Sequence, residues 1–408
     1  MQNQESADPW DLIVVGAGII GLTVAYEYLL EYPGRCVLIV EKEAKEGLHA
    51  SGRNSGVLHA GFYYSSDSLK ARFCSDGNLR MKAFCRQEQV PINPCQKVVV
   101  ARNLQEVDVL HELYEQGQRN DVPLALISAE ELAEFEPNAK TYQWALLSPS
   151  TATVDPGLVC SKLVDTLKRL GCKFLFNFRL ESILDQSVVA KLRSLNFKTL
   201  VNAAGLYADH LARGRGKAND LRILPFRGHY LKYLGPSDEI QTNIYPIPHK
   251  GNSFLGVHFT KTAQGDVKIG PTATPAFWRE HYQGFKNFRL GEVLPILSTQ
   301  SQLLLGNHSD FRSLAFGEIK KTFGNAIFTE AKRLVHHLSG TFQELPPGIR
   351  AQLVNVRSKK LITDFLIQED GNILHILNAV SPAFTCSFAF ARHVVGYLTK
   401  LDPEPKSV

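Results

Sequence analysis

A strong excess of charge of one sign is missing from this chain. Its 408 residues carry 45 Lys and Arg against 40 Asp and Glu, a formal net charge of +5, too mild by itself to imply a nucleic-acid partner. Paired cysteines are missing too. Cys36, Cys74, Cys85, Cys95, Cys160, Cys172 and Cys386 are odd in number and scattered without a C-x-x-C. That excludes a disulfide or zinc framework and reads as reduced thiols in a cytosolic compartment; no metal site is expected. The opening MQNQESADPW is polar and carries acids, unlike a secretory leader or an Arg-rich transit peptide. A cytoplasmic protein is expected, with peripheral attachment to the inner face of the membrane left open. No repeat or low-complexity tract occurs, and 44% hydrophobic, 21% charged and 10% aromatic residues show no disorder signature. One apolar run, Leu12 to Leu30 with Glu27 as its only charge, has the length of a membrane span. Its three glycines and its abrupt change of pattern argue instead for two short buried elements.

What is present starts at Asp11 to Glu41, DLIVVGAGIIGLTVAYEYLLEYPGRCVLIVE. The pattern reads strand, Gly turn, helix, strand. Gly16, Gly18 and Gly21 are spaced G-x-G-x-x-G. The first allows a tight turn, the second lets backbone approach a pyrophosphate, and the third lets helix and strand pack closely. The helix N-terminus then offers N–H groups and a favourable dipole to the phosphates. Glu41, after the second strand, is placed for an adenosine ribose. A purely structural βα turn is the competing reading.

A polar stretch follows, KEAKEGLHASGRNSGVLHAGFYY from Lys42 to Tyr64, long for a loop and therefore read as functional. Ser51, Gly52, Asn54, Ser55 and Gly56 supply small groups and backbone donors for a second cofactor cradle, and Arg53 adds a fixed charge. His59 lies just past it, beside Ala60 and Gly61, whose small size permits a ligand ring to approach. Downstream, helical spacing covers Ser68 to Val90 and Leu104 to Gln116, with Gly117 placed to end the second helix. Lys97 to Ala101 reads as a buried strand. Ser128-Ala-Glu-Glu reads as a capping box, and Pro156 opens a helix closed by Gly171. Lys198 to Ala204 is a strand ending in small residues. Phe226 to Leu231, Asn252 to Phe259 and Val267 to Gly270 alternate like strands of an antiparallel sheet. Asp310 to Leu338 reads as largely helical and is broken by Leu345 to Arg350. A hairpin pairs Thr363–Ile367 with Ile373–Ile376, and a last helix runs from Ala383 to Leu398. The locally basic segment Arg213 to Lys232 suits an anionic substrate, a membrane surface or a merely solvated face.

Together the Gly fingerprint with Glu41, the SGRNSG loop, the VDP helix, the NAAG strand end and the C-terminal helix resemble the D-amino-acid-oxidase-like FAD flavoproteins. Within that superfamily SGRNSGVLHAGFYY, FRGHYL, LGVHFT, KIGPTA, GIRAQ and NAVSPAFTCSFAFA resemble the L-2-hydroxyglutarate dehydrogenases and oxidases, over essentially the whole chain. NAAG is looser than the ATG of many FAD proteins. The resemblance implies an α/β fold: a discontinuous Rossmann-like FAD-binding domain (9–90, 150–215 and 345–408) and a substrate domain with a mixed, mainly antiparallel sheet (91–149 and 216–344). It implies FAD on Gly16, Gly18, Gly21, Glu41, Lys42, Ser51, Arg53, Asn54, Ser55, Gly56, Ala204, Gly205, Pro382, Ala383 and Thr385. The dipole of the last helix would face the flavin's N1/C2=O edge, unless Ser381 is only a cap.

The activity it implies is oxidation of L-2-hydroxyglutarate to 2-oxoglutarate, with hydride transfer from C2 to flavin N5 and electrons passed to quinone, another acceptor or oxygen. A His base at neutral pH is natural. His59 resembles the family's HAG histidine; His258 comes second, His229 and His49 behind. Arg350 resembles the superfamily arginine that forks onto the α-carboxylate; an arginine bridging surface loops is the alternative. Arg227, His229 and Tyr230 are candidates for the γ-carboxylate or hydroxyl, and Arg53 for flavin or substrate. The rival activities are an amino-acid or amine oxidase of the same superfamily and a flavin-binding protein without turnover.

Overall fold

The structure is a computed structural model that describes residues 8–191, 193–248, 256–306, 317–318 and 326–401. The start of the expected strand at Asn252 and about half of the expected helix from Asp310 lie outside these residues. The chain divides into two compact units. The first takes 1–52, 157–223 and 351–408, and the second 53–156 and 224–350. Residues 53–90, placed with the cofactor domain from sequence, make their contacts in the second unit.

The first unit is built on parallel strands. Trp10–Val15 lies between Val37–Val40 and Arg193–Asn202, with Lys173–Leu175 beyond one and Ile373–Asn378 beyond the other. Strand 10–15 is buried almost throughout, as its unbroken apolar run requires. Helix Ile19–Glu31 and the last helix, Ala383–Leu401, pack together. The Tyr26 and Phe388 rings meet edge-on at 5.7 Å, and the Tyr32 hydroxyl bonds Thr399 Oγ1 at 2.6 Å. The apolar run at 12–30 is therefore a strand end, a turn and a helix. No helix among the described residues is long and apolar enough to cross a membrane. The expected hairpin forms between Leu366–Asp370 and Ile373–Asn378, tighter than predicted, with its turn at Gly371.

In the second unit a larger mixed sheet runs Leu221–Tyr233, Val267–Gly270, His258–Lys261, Asn243–Pro246, Lys97–Val100, Trp144–Ser148 and Ala125–Ser128. All of its pairings are antiparallel except Asn243–Pro246 on Lys97–Val100. A three-stranded sheet joins Val57–Leu58, Ala152–Val154 and Ile92–Asn93. The capping box at Ser128 is present.

Two local expectations fail. Gly117 does not end its helix, which runs on to Arg119. A Cβ there would lie 2.1 Å from Leu124 Cδ1, so this glycine serves packing. Leu345 to Arg350 is no break: the Pro-Pro-Gly lies within the long strand Phe342–Asn355.

Candidate active site

The Gly turn is set at the carboxyl ends of the first unit's strands. Gly16 N donates to Val40 O at 2.8 Å, and Ala203 N to Val15 O at 3.0 Å. A Cβ on Gly16, whose φ is +108°, would meet Ala203 O at 2.6 Å; one on Gly21 would meet Gly16 O at 2.0 Å. Helix Ile19–Glu31 starts from Gly18 with no side-chain cap of its own and no acid in its first turn. Ser51 Oγ instead accepts from Ile19 N at 2.8 Å, so this part of the SGRNSG loop does reach the turn. The Glu41 carboxylate accepts from Ala17 N at 2.8 Å and Glu43 N at 2.9 Å. Those bonds use two of roughly four lone-pair positions and leave capacity for a ribose hydroxyl. Lys42 ion-pairs with Glu43 and bonds His49 Nε2 at 2.8 Å, which ties His49 into a local cluster. Ala204 N donates to Asn202 Oδ1 at 3.3 Å, and Gly205 takes the left-handed φ of +53°.

Buried polar atoms of this unit that lack a hydrogen-bond partner among the described residues include Asn378 Oδ1, at the end of its strand, and Ser387 Oγ, in the first turns of the last helix. Pro382, Ala383 and the buried Thr385 lie between them in sequence. Unmet polar groups of this kind call for a ligand or water. An uncapped helix terminus, a glycine turn and an acid beyond the second strand together fit FAD.

The rest of the loop behaves differently. Arg53 stacks its guanidinium over the Tyr282 ring at 4.4 Å and donates to Pro347 O at 3.3 Å. Asn54 Oδ1 closes an Asx turn on Gly56 N at 2.8 Å. A Cβ on Gly56 would lie 2.1 Å from Val154 O. Arg53, Asn54 and Gly56 thus contact backbone of the second unit.

His59 follows strand Val57–Leu58. Its carbonyl accepts from Asn78 Nδ2 at 3.0 Å and from Cys74 Sγ at 3.5 Å, both on helix Leu69–Gln87. Burial, then the charges of Lys97 and His258, push its imidazole well below the usual range. Lys97 is the residue that reading the sequence missed. It opens a central strand, is 0% exposed, and places Nζ 3.3 Å from His59 Nδ1. It sits 4.3 Å from the centroid of the Tyr245 ring and 5.1 Å from that of Tyr63. Among the described residues no carboxylate is a cause of its shift; burial pulls its ammonium down to about 7, against the smaller opposing effect of the Cys74 and Cys95 thiols. The signal was one lysine heading KVVV: a continuous apolar run is buried on both faces, so its first residue is buried as well.

His258 stacks on Tyr245 at 3.8 Å. Its Nδ1 donates to Gly256 O at 2.7 Å, and burial takes it down to about 3. Arg350 is half-buried within strand Phe342–Asn355, so it is no surface-loop arginine. Its neighbours in charge are Tyr230 and Glu318. Burial raises the Tyr230 phenol, which feels Arg350. Alternation along strand Leu221–Tyr233 sets Arg227 and His229 on the face opposite Tyr230. His229 accordingly feels Arg227 and Glu344, and its Nε2, like Arg227 Nε, has no partner among the described residues. Tyr230 and Arg350 thus come together, and His59 with His258, whereas Arg227 and His229 form a separate pair.

A parallel sheet carrying a glycine turn, with an acid after its second strand, is the arrangement of a dinucleotide-binding enzyme. The family model described as FAD dependent oxidoreductase matches residues 11–396. The L-2-hydroxyglutarate dehydrogenase of Indibacter alkaliphilus is 34% identical over 402 residues, covering 96% of this chain and 99% of its own. That of Escherichia coli (strain UMN026) is also 34% identical, covering 96% and 94%. In fold the chain is similar to the L-alpha-glycerophosphate oxidase of Mycoplasma pneumoniae solved with FAD bound. The TM-score there is 0.70 at 22% identity, over 96% of this chain and 95% of that one. The chain belongs to the FAD-dependent oxidoreductases and, among them, to the L-2-hydroxyglutarate dehydrogenase family.

Proposed function

We propose that this chain oxidises L-2-hydroxyglutarate to 2-oxoglutarate, with FAD held by the first unit and the substrate handled by residues of the second. The observation that carries the reading is the buried His59, with Lys97 Nζ 3.3 Å from its Nδ1, in a unit that also sets Tyr230 in the field of Arg350. FAD, when bound, supplies the acceptor for the hydride leaving C2, at flavin N5. The chain supplies the rest. His59 takes the hydroxyl proton, for which a neutral imidazole is required. Arg350 forks onto the α-carboxylate, for which the planar guanidinium is suited. Tyr230, in the field of Arg350, is assigned to the γ-carboxylate or the hydroxyl. Arg227 and His229 face the other side of their strand and receive no substrate contact. Arg53 acts as a backbone clamp. His258, with Nδ1 on a carbonyl and its ring against Tyr245, supports the wall beside the base.

For the electron acceptor a membrane quinone is proposed over oxygen. Its support is an exposed apolar stretch that includes Phe285, Leu290, Leu294 and Leu305, which are 83%, 66%, 69% and 80% exposed.

Anaerobic addition of L-2-hydroxyglutarate to the yellow protein tests the activity, with the D-enantiomer as control. Bleaching of the flavin band by L alone is expected. No bleaching by either enantiomer would overturn the reading. Re-admitted air and a soluble quinone, compared as reoxidants, separate the acceptors.

A further inference from the structure

We infer that His59 and Lys97 work as one two-residue base, in which Lys97 as the neutral amine accepts the Nδ1 proton of His59 while His59 Nε2 takes the proton of the substrate hydroxyl. This deepens the proposed activity and rests on His59 being its base.

The 3.3 Å contact between Lys97 Nζ and His59 Nδ1 has two possible polarities. An ammonium would donate to a bare Nδ1. The ring proton would then sit on Nε2, and the imidazole could accept nothing from a substrate. A neutral amine accepts from Nδ1–H, which makes Nε2 the basic nitrogen. The surroundings favour the second. Lys97 is 0% exposed in the middle of a sheet, between Ser148 and Asn243 in register. The groups turned toward it are His59, Phe62 and Tyr63 from the segment after Val57–Leu58, and Cys74 from helix Leu69–Gln87. Cys95 precedes it, Tyr245 is on one neighbouring strand, and His258 is on the strand beyond. None is a carboxylate. The Tyr63 and Tyr245 phenols are pushed up by burial and stay neutral, and His258 is held neutral as well. The ring faces offset only part of the cost of dehydrating an ammonium. Burial accordingly brings Lys97 to about 7, where it can exchange a proton at working pH.

The relay also removes a difficulty in the single-base reading. His59 acting alone would become an imidazolium in a fully buried site, and burial disfavours that charge. With the relay the substrate O–H bond breaks as Nε2–H forms, and Nδ1–H breaks as Nζ–H forms. The imidazole ends neutral in its other tautomer, and Lys97 ends as the ammonium. FAD, when bound, would accept the hydride from C2 as the carbonyl forms, and Lys97 would later return its proton to solvent. Lys97 is thus a positioning and proton-storing residue that acts through His59.

The test compares wild type, Lys97→Met, Lys97→Arg and His59→Gln as flavin-loaded proteins. Anaerobic single-turnover bleaching by L-2-hydroxyglutarate is followed from about pH 5.5 to about pH 9. Wild type should gain roughly tenfold per pH unit up to about 7 and then level off. Lys97→Met should be slower by about 100-fold at high pH and lose that inflection. Lys97→Arg, permanently cationic, should be no faster than Lys97→Met. Carbon-13 NMR of ε-labelled lysine in wild-type holoenzyme, assigned by the signal missing from whichever variant folds, should show one lysine titrating near neutrality. A wild-type rate in Lys97→Arg, an unmoved inflection in Lys97→Met, or a Lys97 signal charged throughout the range would each overturn the relay. Unchanged turnover in His59→Gln would overturn the base assignment itself, which is a separate outcome.

Discussion

At the scale of single residues, His59 and Arg350 divide the work. His59→Gln should keep its flavin spectrum and lose about 100- to 10,000-fold in kcat, the usual worth of a positioned base. Stopped-flow bleaching measures this, and a wild-type rate would remove His59 from the chemistry. Arg350→Lys keeps a charge but not the fork, so KM should rise about 10-fold or more while the flavin remains bound. Lys97 carries a stability consequence of its own. Folded, it ionises near 7; unfolded, near ~10.4. Between those values the unfolded chain binds more protons, so stability rises with pH across that window. Below it the folded protein bears the full penalty, on the order of 4–5 kcal/mol. Lys97→Met should therefore melt at a higher temperature than wild type at neutral pH and show a flatter pH dependence of Tm. A lower Tm would mean that the amine is held for structure.

At the scale of elements, the glycine turn and the last helix belong together. Thr23, on the first helix, donates to Ser387 O at 3.2 Å in the last, so the two helices that serve the cofactor brace one another. Gly21→Ala would put a methyl 2.0 Å from Gly16 O. The protein should purify colourless or in poor yield, as read from the ratio of visible to ultraviolet absorbance. Gly56→Ala meets Val154 O at 2.1 Å at a φ of +76°. It strains the second unit, and should cost about 1–3 kcal/mol by denaturant melting while leaving the flavin site's own residues intact.

At the scale of the whole molecule, cofactor and fold are linked. FAD binds the folded chain, so saturation at about 100 times its Kd should add about 2.7 kcal/mol and raise Tm. Stripping FAD and adding it back in a melting series checks this. The sequential layout matters here as well. The chain passes four times between its two units, so neither can be cut out as one continuous piece.

The first unit was largely legible in the chain itself. Its signal is local: an apolar run, three glycines at fixed spacing and an acid after the next run force one strand, turn and helix. The parallel strands then follow from right-handed crossovers. The family was legible too, in motifs such as SGRNSGVLHAGFYY. Four features were not. Gly117 looked like a helix stop, because nothing local shows that Leu124 and Phe62 crowd it. The Pro-Pro-Gly near Arg350 looked like a break, because only the sheet shows a strand carrying through it. Arg227, His229 and Tyr230 looked like one set until the pleat separated them. Lys97 is the clearest case. Its partner His59 lies 38 positions away, and the aromatic rings around the amine come from two separate stretches of chain. Sequence determines which groups can carry a proton. Folding decides which of them are stripped of water and brought into contact, and that desolvation shifts Lys97 and His59 toward neutrality.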